Sequence, residues 1–295
     1  MEHTANHSGQ TFPRRCDLHT HSVFSDGTYT PEELIDHAKQ QNLIIALTDH
    51  NTAAGLPDFM AAAQKAGVTA VPGVEFSTEH DGTELHLLAL FVMPEHYAAM
   101  EAIVSGQHAL KERTNRNLVD RLDQAGYHIR YEDVQRRNPA GNPNRAHVAA
   151  ELLERGYVTS IQEAFDTLLD EKCGFYEPPH QLPLMDVIRQ LRQLGILPVL
   201  AHPLEDLTAQ ALRQLLPTAK EAGLLGMETR HGDYTPDTIR IAEEIAAEFH
   251  LLPSGGSDFH GSVKPEIALG TGKGQLAIPP EVYSHLLDAW KALQI

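Results

Sequence analysis

Leu43-Ile-Ile-Ala-Leu-Thr-Asp-His50 is an almost continuously apolar run closed by an aspartate and a histidine. Strands at a surface alternate polar with apolar residues, whereas an unbroken apolar run suits a strand covered on both faces, as in a parallel sheet wrapped by helices. Ile196 to Ala201 (ILPVLA) repeats the pattern, and His202 follows at once. Working outward, apolar runs ending at Leu18, Leu47, Glu75, Val92, Ala201, Glu228 and Ser254 alternate with amphipathic stretches, which predicts βα units around a parallel sheet or barrel. Two helix starts are explicit. Thr30-Pro31-Glu32-Glu33 sets a capping hydroxyl before a proline and first-turn acids, and Thr235-Pro236-Asp237 does the same.

The ends of these runs carry the chemistry. His19 and His21 follow the first as Asp17-Leu-His-Thr-His-Ser22, Asp49 and His50 follow the second, and Glu75 ends the third. His202 follows the fifth, and Asp258 and His260 follow the last as Gly-Ser-Asp-Phe-His-Gly261. In a barrel of parallel strands all of them converge on the C-terminal rim, where active sites are built. Residues two apart in an extended segment point the same way, so His19 and His21 can face one ion, as can Asp258 and His260. Imidazoles mixed with carboxylates, with no thiolate, suit Mn²⁺, Fe²⁺ or Zn²⁺. The ligands outnumber the needs of one ion, so a centre of two or three metals is expected, with Glu75 bridging.

Composition narrows the classes further. With 295 residues, 42% hydrophobic, the chain can bury a core without disulfides, and its two cysteines, Cys16 and Cys173, fit a reducing, cytoplasmic setting. No apolar run is long enough to span a membrane. A formal charge of −17 disfavours long duplex nucleic acid. Residues 1–14 are polar and read as a flexible extension, with His3 and His7 in a solvated tail. Barrel-type pattern covers 15–94 and 180–295. Residues 95–179 read as an all-helical insertion, broken by the loop Asn138 to Asn144. The insertion concentrates arginines (Arg113, Arg116, Arg121, Arg130, Arg136, Arg137, Arg145, Arg155), which implies a local positive surface.

DLHTHSVFSDGTYTPEEL, LTDHNTAAG, GVEFS, ELHLLAL, LAHP and GGSDFHG resemble, in order and spacing, the motifs of the polymerase-and-histidinol-phosphatase (PHP) family of metal-dependent phosphoesterases. The resemblance covers residues 16 to about 92 and 184 to about 270. It implies an α/β fold, a distorted seven-stranded TIM-like (β/α) barrel with up to three metals at its C-terminal rim and a helical insertion. It further implies that His19, His21, Glu75 and Asp258 hold the first metal, Glu75, His86 and His202 the second, and Asp26, His50 and His260 the third. Asp26 stands where some members have histidine, which suits a harder ion. His86 lies mid-run in ELHLLALFV, where a core histidine is the alternative. Asp17 and Asp49 are expected to orient neighbouring histidines.

Two divalent ions, with Mn²⁺ the leading candidate ahead of Zn²⁺ or Fe²⁺, would lower the pKa of a bridging water and clamp a phosphoryl group during in-line displacement. Glu75, Asp258 and His231 are the candidate catalytic residues. His231, placed in a loop after the strand ending at Glu228, is either the proton donor to the leaving group or an exposed loop histidine. Arg113 and Arg116 lie three apart on a helix, and Arg145-Ala-His147 opens another, so Arg113, Arg116, Arg145 and His147 are candidates for gripping a second phosphate. Arg116 and Arg145 also resemble positions of the PHP subgroup with a helical insertion, and that resemblance implies nucleoside 3′,5′-bisphosphates or short RNA cleaved from the 5′ end as substrates. The alternatives are a histidinol-phosphate phosphatase and a non-catalytic metal- and nucleotide-binding module.

Overall fold

The computed structural model describes residues 15–138, 143–177 and 181–294, so the expected tail at 1–14 and the middle of the loop after Asn138 lie outside the described residues. The chain divides into two compact units, Met1–Ala102 with Leu182–Ile295, and Ile103–Gln181. Among the described residues no helix is long and apolar enough to cross a membrane.

In chain order the first unit contains β1 (Arg15–Asp17), α1 (Pro31–Gln41), β2 (Leu43–Leu47), α2 (Leu56–Ala66), β3 (Ala70–His80) and β4 (Thr83–Leu90). Helix α3 (Tyr97–Leu122) runs across the boundary at Ala102. The second unit continues with α4 (Tyr131–Gln135), α5 (Arg145–Glu154) and α6 (Ile161–Ala164). The first unit resumes with β5 (Leu182–Pro183), α7 (Leu184–Gln193), β6 (Leu197–Leu200), α8 (Pro203–Asp206), α9 (Ala209–Ala222), β7 (Gly226–His231), α10 (Pro236–Glu248), β8 (Leu252–Gly256) and α11 (Pro280–Leu293).

Seven strands pair in the order β1-β2-β3-β4-β6-β7-β8, with the short β5 added to β3. All five residues of β2 are buried, as an apolar strand covered on both faces requires. Thr30 caps α1 in a reciprocal box with Glu33, and Thr235 caps α10, both as their sequences predict.

The all-parallel expectation fails at β4, which runs antiparallel to both β3 and β6. The cause is local. His80 pairs with Thr83 across Asp81-Gly82, both at positive φ (49° and 76°), and a two-residue turn reverses the chain where a parallel crossover would need about a dozen residues. The hairpin also carries β3 on to His80, so Glu75 lies within the strand and does not end it.

The sheet closes through hydrogen bonds beyond its named strands. Leu18 N donates to Gly255 O (3.1 Å), Asp258 N to His19 O (3.0 Å) and His21 N to Phe259 O (2.9 Å). Gly256 permits this approach, since a Cβ there would collide with the Cβ and backbone nitrogen of His19. Ile44, Ala46, Leu88, Leu90, Leu197 and Val199 form a core cluster with Leu286 of α11. Trp290 packs against it and stacks on Phe91 at 5.0 Å. The helical unit has its own core, which includes Leu118, Leu122, Val134, Val148, Leu152 and Leu169.

Candidate metal centre

Parallel β1, β2, β6 and β8 each deliver residues just past their C-terminal ends: His19 and His21, His50, His202, and Asp258 and His260. Reversed β4 meets the same rim near its start. His86 therefore reaches Glu75 from the fourth residue of its strand, although in sequence it looks like a core position. Asp26 comes from the turn after His21, in which Ser25 N and Gly27 N both donate to Ser22 O. Backbone bonds from Glu75 N to Asp49 O and from Asn51 N to Glu75 O tie β3 to the end of β2. Two site residues adopt positive φ without being glycine, Asp258 at 57° and His202 at 26°, a conformation held only where surrounding structure enforces it.

The buried Glu75 carboxylate is the hub. Its Oε2 lies 3.1 Å from His19 Nε2, 3.2 Å from His21 Nε2 and 3.1 Å from His50 Nδ1. Its Oε1 lies 2.8 Å from His86 Nδ1 and 3.3 Å from His202 Nε2. Asp258 Oδ1 joins the first set, 3.1 Å from His21 Nε2 and 3.4 Å from His19 Nε2. Asp26 lies 3.2 Å from His260 Nε2 and 3.7 Å from both His21 Nδ1 and His50 Nε2.

These residues fit divalent cations. His19 Nε2, His21 Nε2, His50 Nδ1 and Glu75 Oε2 are buried, face one another and make no hydrogen bond, a costly arrangement unless a cation sits among them. Two clusters with convergent ligand atoms are His19, His21, Glu75, Asp258 and His21, Asp26, His50, His260. A third joins His50, Glu75 and His86. The donor set is nitrogen and carboxylate oxygen without sulfur, which suits Mn²⁺, Fe²⁺ and Zn²⁺.

The charges are strongly perturbed. Burial alone would protonate Glu75, but the rings of His19, His50 and His86 outweigh it and hold the carboxyl well below its ordinary range. Asp26 and Asp258 are likewise held low, despite burial, by His50 and His260 in one case and by His260 and His19 in the other. Burial drives His50 down to about 3 even beside Glu75 and Asp26. For His21, burial is outweighed by Asp258 and Glu75, which lift it to about 9.

The sequence reading passed over Glu228, which it treated as a strand end. Buried Glu228 receives His19 Nδ1 at 3.2 Å on Oε1 and the His202 backbone N–H at 2.8 Å on Oε2, so one carboxylate orients two candidate ligands. The signal was an acidic residue closing the short run Leu224-Leu-Gly-Met-Glu228. Asp17 and Asp49, expected to orient histidines, brace loops through other donors. Asp17 accepts from Ser257 N, Ser257 Oγ and Gly270 N, and Asp49 from Ser22 N, Ser22 Oγ and Ser25 Oγ. His231 is neither in a loop nor exposed. It ends β7, is buried, and sets Nδ1 3.0 Å from Glu205 and Nε2 3.8 Å from Asp258.

The candidate substrate residues fall in the helical unit. Arg116 pairs with Glu112 at 2.8 Å and lies over the Tyr131 ring at 4.0 Å. Arg113 is exposed on the same helix. Arg145 donates to Leu169 O at 3.3 Å and lies over the Tyr176 ring at 4.3 Å. His147 completes the capping box of α5 with Asn144. The expected positive surface is largely neutralised, because Arg121, Arg136, Arg137 and Arg155 are paired with Glu177, Asp133, Glu151 and again Glu151.

Comparison with known proteins agrees with this geometry. The PHP domain family matches residues 17–170. A 5′-3′ exoribonuclease of Haemophilus influenzae is 32% identical over 249 residues, 84% of this chain and 90% of that protein. A 3′,5′-nucleoside bisphosphate phosphatase of Chromobacterium violaceum is 30% identical over 249 residues, 83% of this chain and 86% of that protein. The crystal structure of a candidate metal-dependent phosphoesterase of Bifidobacterium adolescentis superposes with a TM-score of 0.81 at 27% identity, covering 94% of this chain and 96% of that one. A closed α/β sheet with a His/Asp/Glu rim defines a metal-dependent hydrolase of the barrel type. The chain belongs to the PHP family.

Proposed function

We propose that the protein is a metal-dependent phosphoesterase acting on small nucleotide esters, removing the 3′-phosphate of nucleoside 3′,5′-bisphosphates or cleaving short oligoribonucleotides from the 5′ end. The observation that carries this reading is Glu75, whose two oxygens face two separate sets of imidazoles, as a carboxylate shared between cations must. His19, His21, Glu75 and Asp258 would hold one ion, Glu75, His86 and His202 a second, and Asp26, His50 and His260 a third, Mn²⁺ foremost. When bound, such ions lower the pKa of a water between them and neutralise the oxygens of a phosphoryl group.

The chain's own groups do the rest. Glu228 holds the His19 ring so that Nε2 faces the centre. His231 supplies the leaving-group proton from Nε2, which makes no hydrogen bond of its own. Burial opposes its charge, but Asp258 and Glu205 raise it to about 10 in the metal-free protein, which favours a ring able to donate a proton. The helical unit is the proposed source of substrate selection, with Arg113, Arg116, Arg145 and His147 receiving a second phosphate. The named relatives act on nucleic-acid-derived phosphates, and a net charge of −17 favours small substrates over long polymers. Two unpaired cysteines fit a reducing, cytoplasmic setting.

Phosphate release from adenosine 3′,5′-bisphosphate by metal-stripped protein, with and without Mn²⁺, tests the reading. Release that requires metal is expected. Equal or faster turnover of histidinol phosphate would move the assignment to that substrate. No release by folded, metal-binding protein would leave a non-catalytic module.

A further inference from the structure

Lys264 is a cation in a place where the proposed metals would repel it. Its Nζ lies 2.5 Å from Asp258 Oδ2. The two oxygens of Asp258 are thereby sorted: Oδ1 faces His21, His19 and His260 at 3.1, 3.4 and 3.6 Å, while Oδ2 faces Lys264 and, at 3.8 Å, His231. Asp258 can offer the ligand cluster one oxygen only. The lysine side chain is 36% exposed and the carboxylate 9%, so Lys264 is the more open partner of the pair. Its backbone is fixed, because Ile267 N donates to Lys264 O at 3.0 Å and Ser262 N to Thr28 Oγ1 at 3.0 Å.

A fixed positive charge beside a cluster built for dications opposes their binding, and a neutral donor could cap Oδ2 without that cost. The ammonium has three N–H donors, and Asp258 Oδ2 occupies one. We infer that Lys264 is a substrate-contacting residue of this site, donating to a non-bridging oxygen of the phosphoryl group from the side opposite the Asp258 ligand oxygen. The inference rests on the phosphoesterase reading above. Lys264 neutralises charge, with no proton transfer assigned to it, and it works through its distance from the oxyanion.

The test measures inorganic phosphate binding to Mn²⁺-loaded protein by calorimetry, beside metal content and kcat/KM, for wild type, Lys264→Met and Lys264→Arg. Lys264→Met is expected to keep its metal and melting temperature, to bind phosphate at least about tenfold more weakly, and to lose about a hundredfold in kcat/KM. Lys264→Arg, which keeps the charge, should recover most of the phosphate affinity. Unchanged phosphate affinity in Lys264→Met overturns the inference and leaves the phosphoesterase reading standing. Loss of metal in step with phosphate also overturns it, because Lys264 would then serve only the geometry of Asp258. A loaded wild-type protein that binds no phosphate overturns both readings.

Discussion

The two units treat charge in opposite ways. In the barrel unit, carboxylates and imidazoles are buried together, with ring nitrogens and a carboxylate oxygen lacking hydrogen bonds. In the helical unit, arginines lie at the surface beside acids, as in Arg116–Glu112 and Arg121–Glu177. Exposed pairs of that kind contribute little to stability, typically below about 1 kcal/mol, and do not by themselves point to a ligand. A buried cluster of unsatisfied titratable groups costs stability, and its persistence points to a ligand. An arginine-rich composition was therefore a weaker guide to function than five histidines around one glutamate.

Mutations and pH can sharpen or break this contrast. Glu75→Gln should have the largest effect, at least about a hundredfold in metal-dependent turnover, with loss of bound metal seen by elemental analysis. Retention of both would remove Glu75 from the centre. Glu228→Gln should weaken metal binding by about ten- to a hundredfold, because the His19 ring loses its anionic partner while every proposed ligand remains. Titration with Mn²⁺ checks this, and wild-type affinity would demote Glu228 to a packing residue.

The pH response should invert on metal loading. Against burial, Glu75, Asp206 and Asp258 raise His21, His86 and His202 to about 9 from 6.5. Raised values mean that their contribution to stability is complete below pH 6.5 and is lost as pH climbs through 9. Metal-free protein should therefore melt lower at pH 9 than at 6.5, whereas metal-loaded protein gains over the same window because its ligand rings must lose protons. Parallel melting curves for the two forms would show that these rings do not bind the ions. Arg116→Ala should have the smallest effect on folding, below about 1 kcal/mol by chemical denaturation. Its KM should rise for a bisphosphate but not for a monophosphate if the arginine serves substrate.

Much of the fold was legible because the sheet is covered on both faces. Runs such as LIIAL leave little doubt about burial, and Thr30 and Thr235 announce their helices by capping chemistry that acts within four residues. Most site residues were legible for the related reason that parallel strands deliver their next residues to one rim. His231 was misplaced because β7 runs past Glu228 with a shifted register between Glu228 and Arg230, which one-dimensional patterning does not reveal. The reversal of β4 was written in Asp81-Gly82, a local turn signal outvoted by the apolar runs around it.

The sequence by itself determined which strands are buried, which helices are capped, and that histidines and carboxylates gather where strands end, because periodicity, capping and chain direction are local properties. Only the tertiary structure decided which atoms face each other. Glu75 as the hub, Glu228 behind His19 and Lys264 on Asp258 bring together residues 56, 209 and 6 positions apart, with the first distance measured to His19. The two long-range pairings depend on sheet closure and on the space that Gly256 leaves beside His19, and no local pattern encodes either.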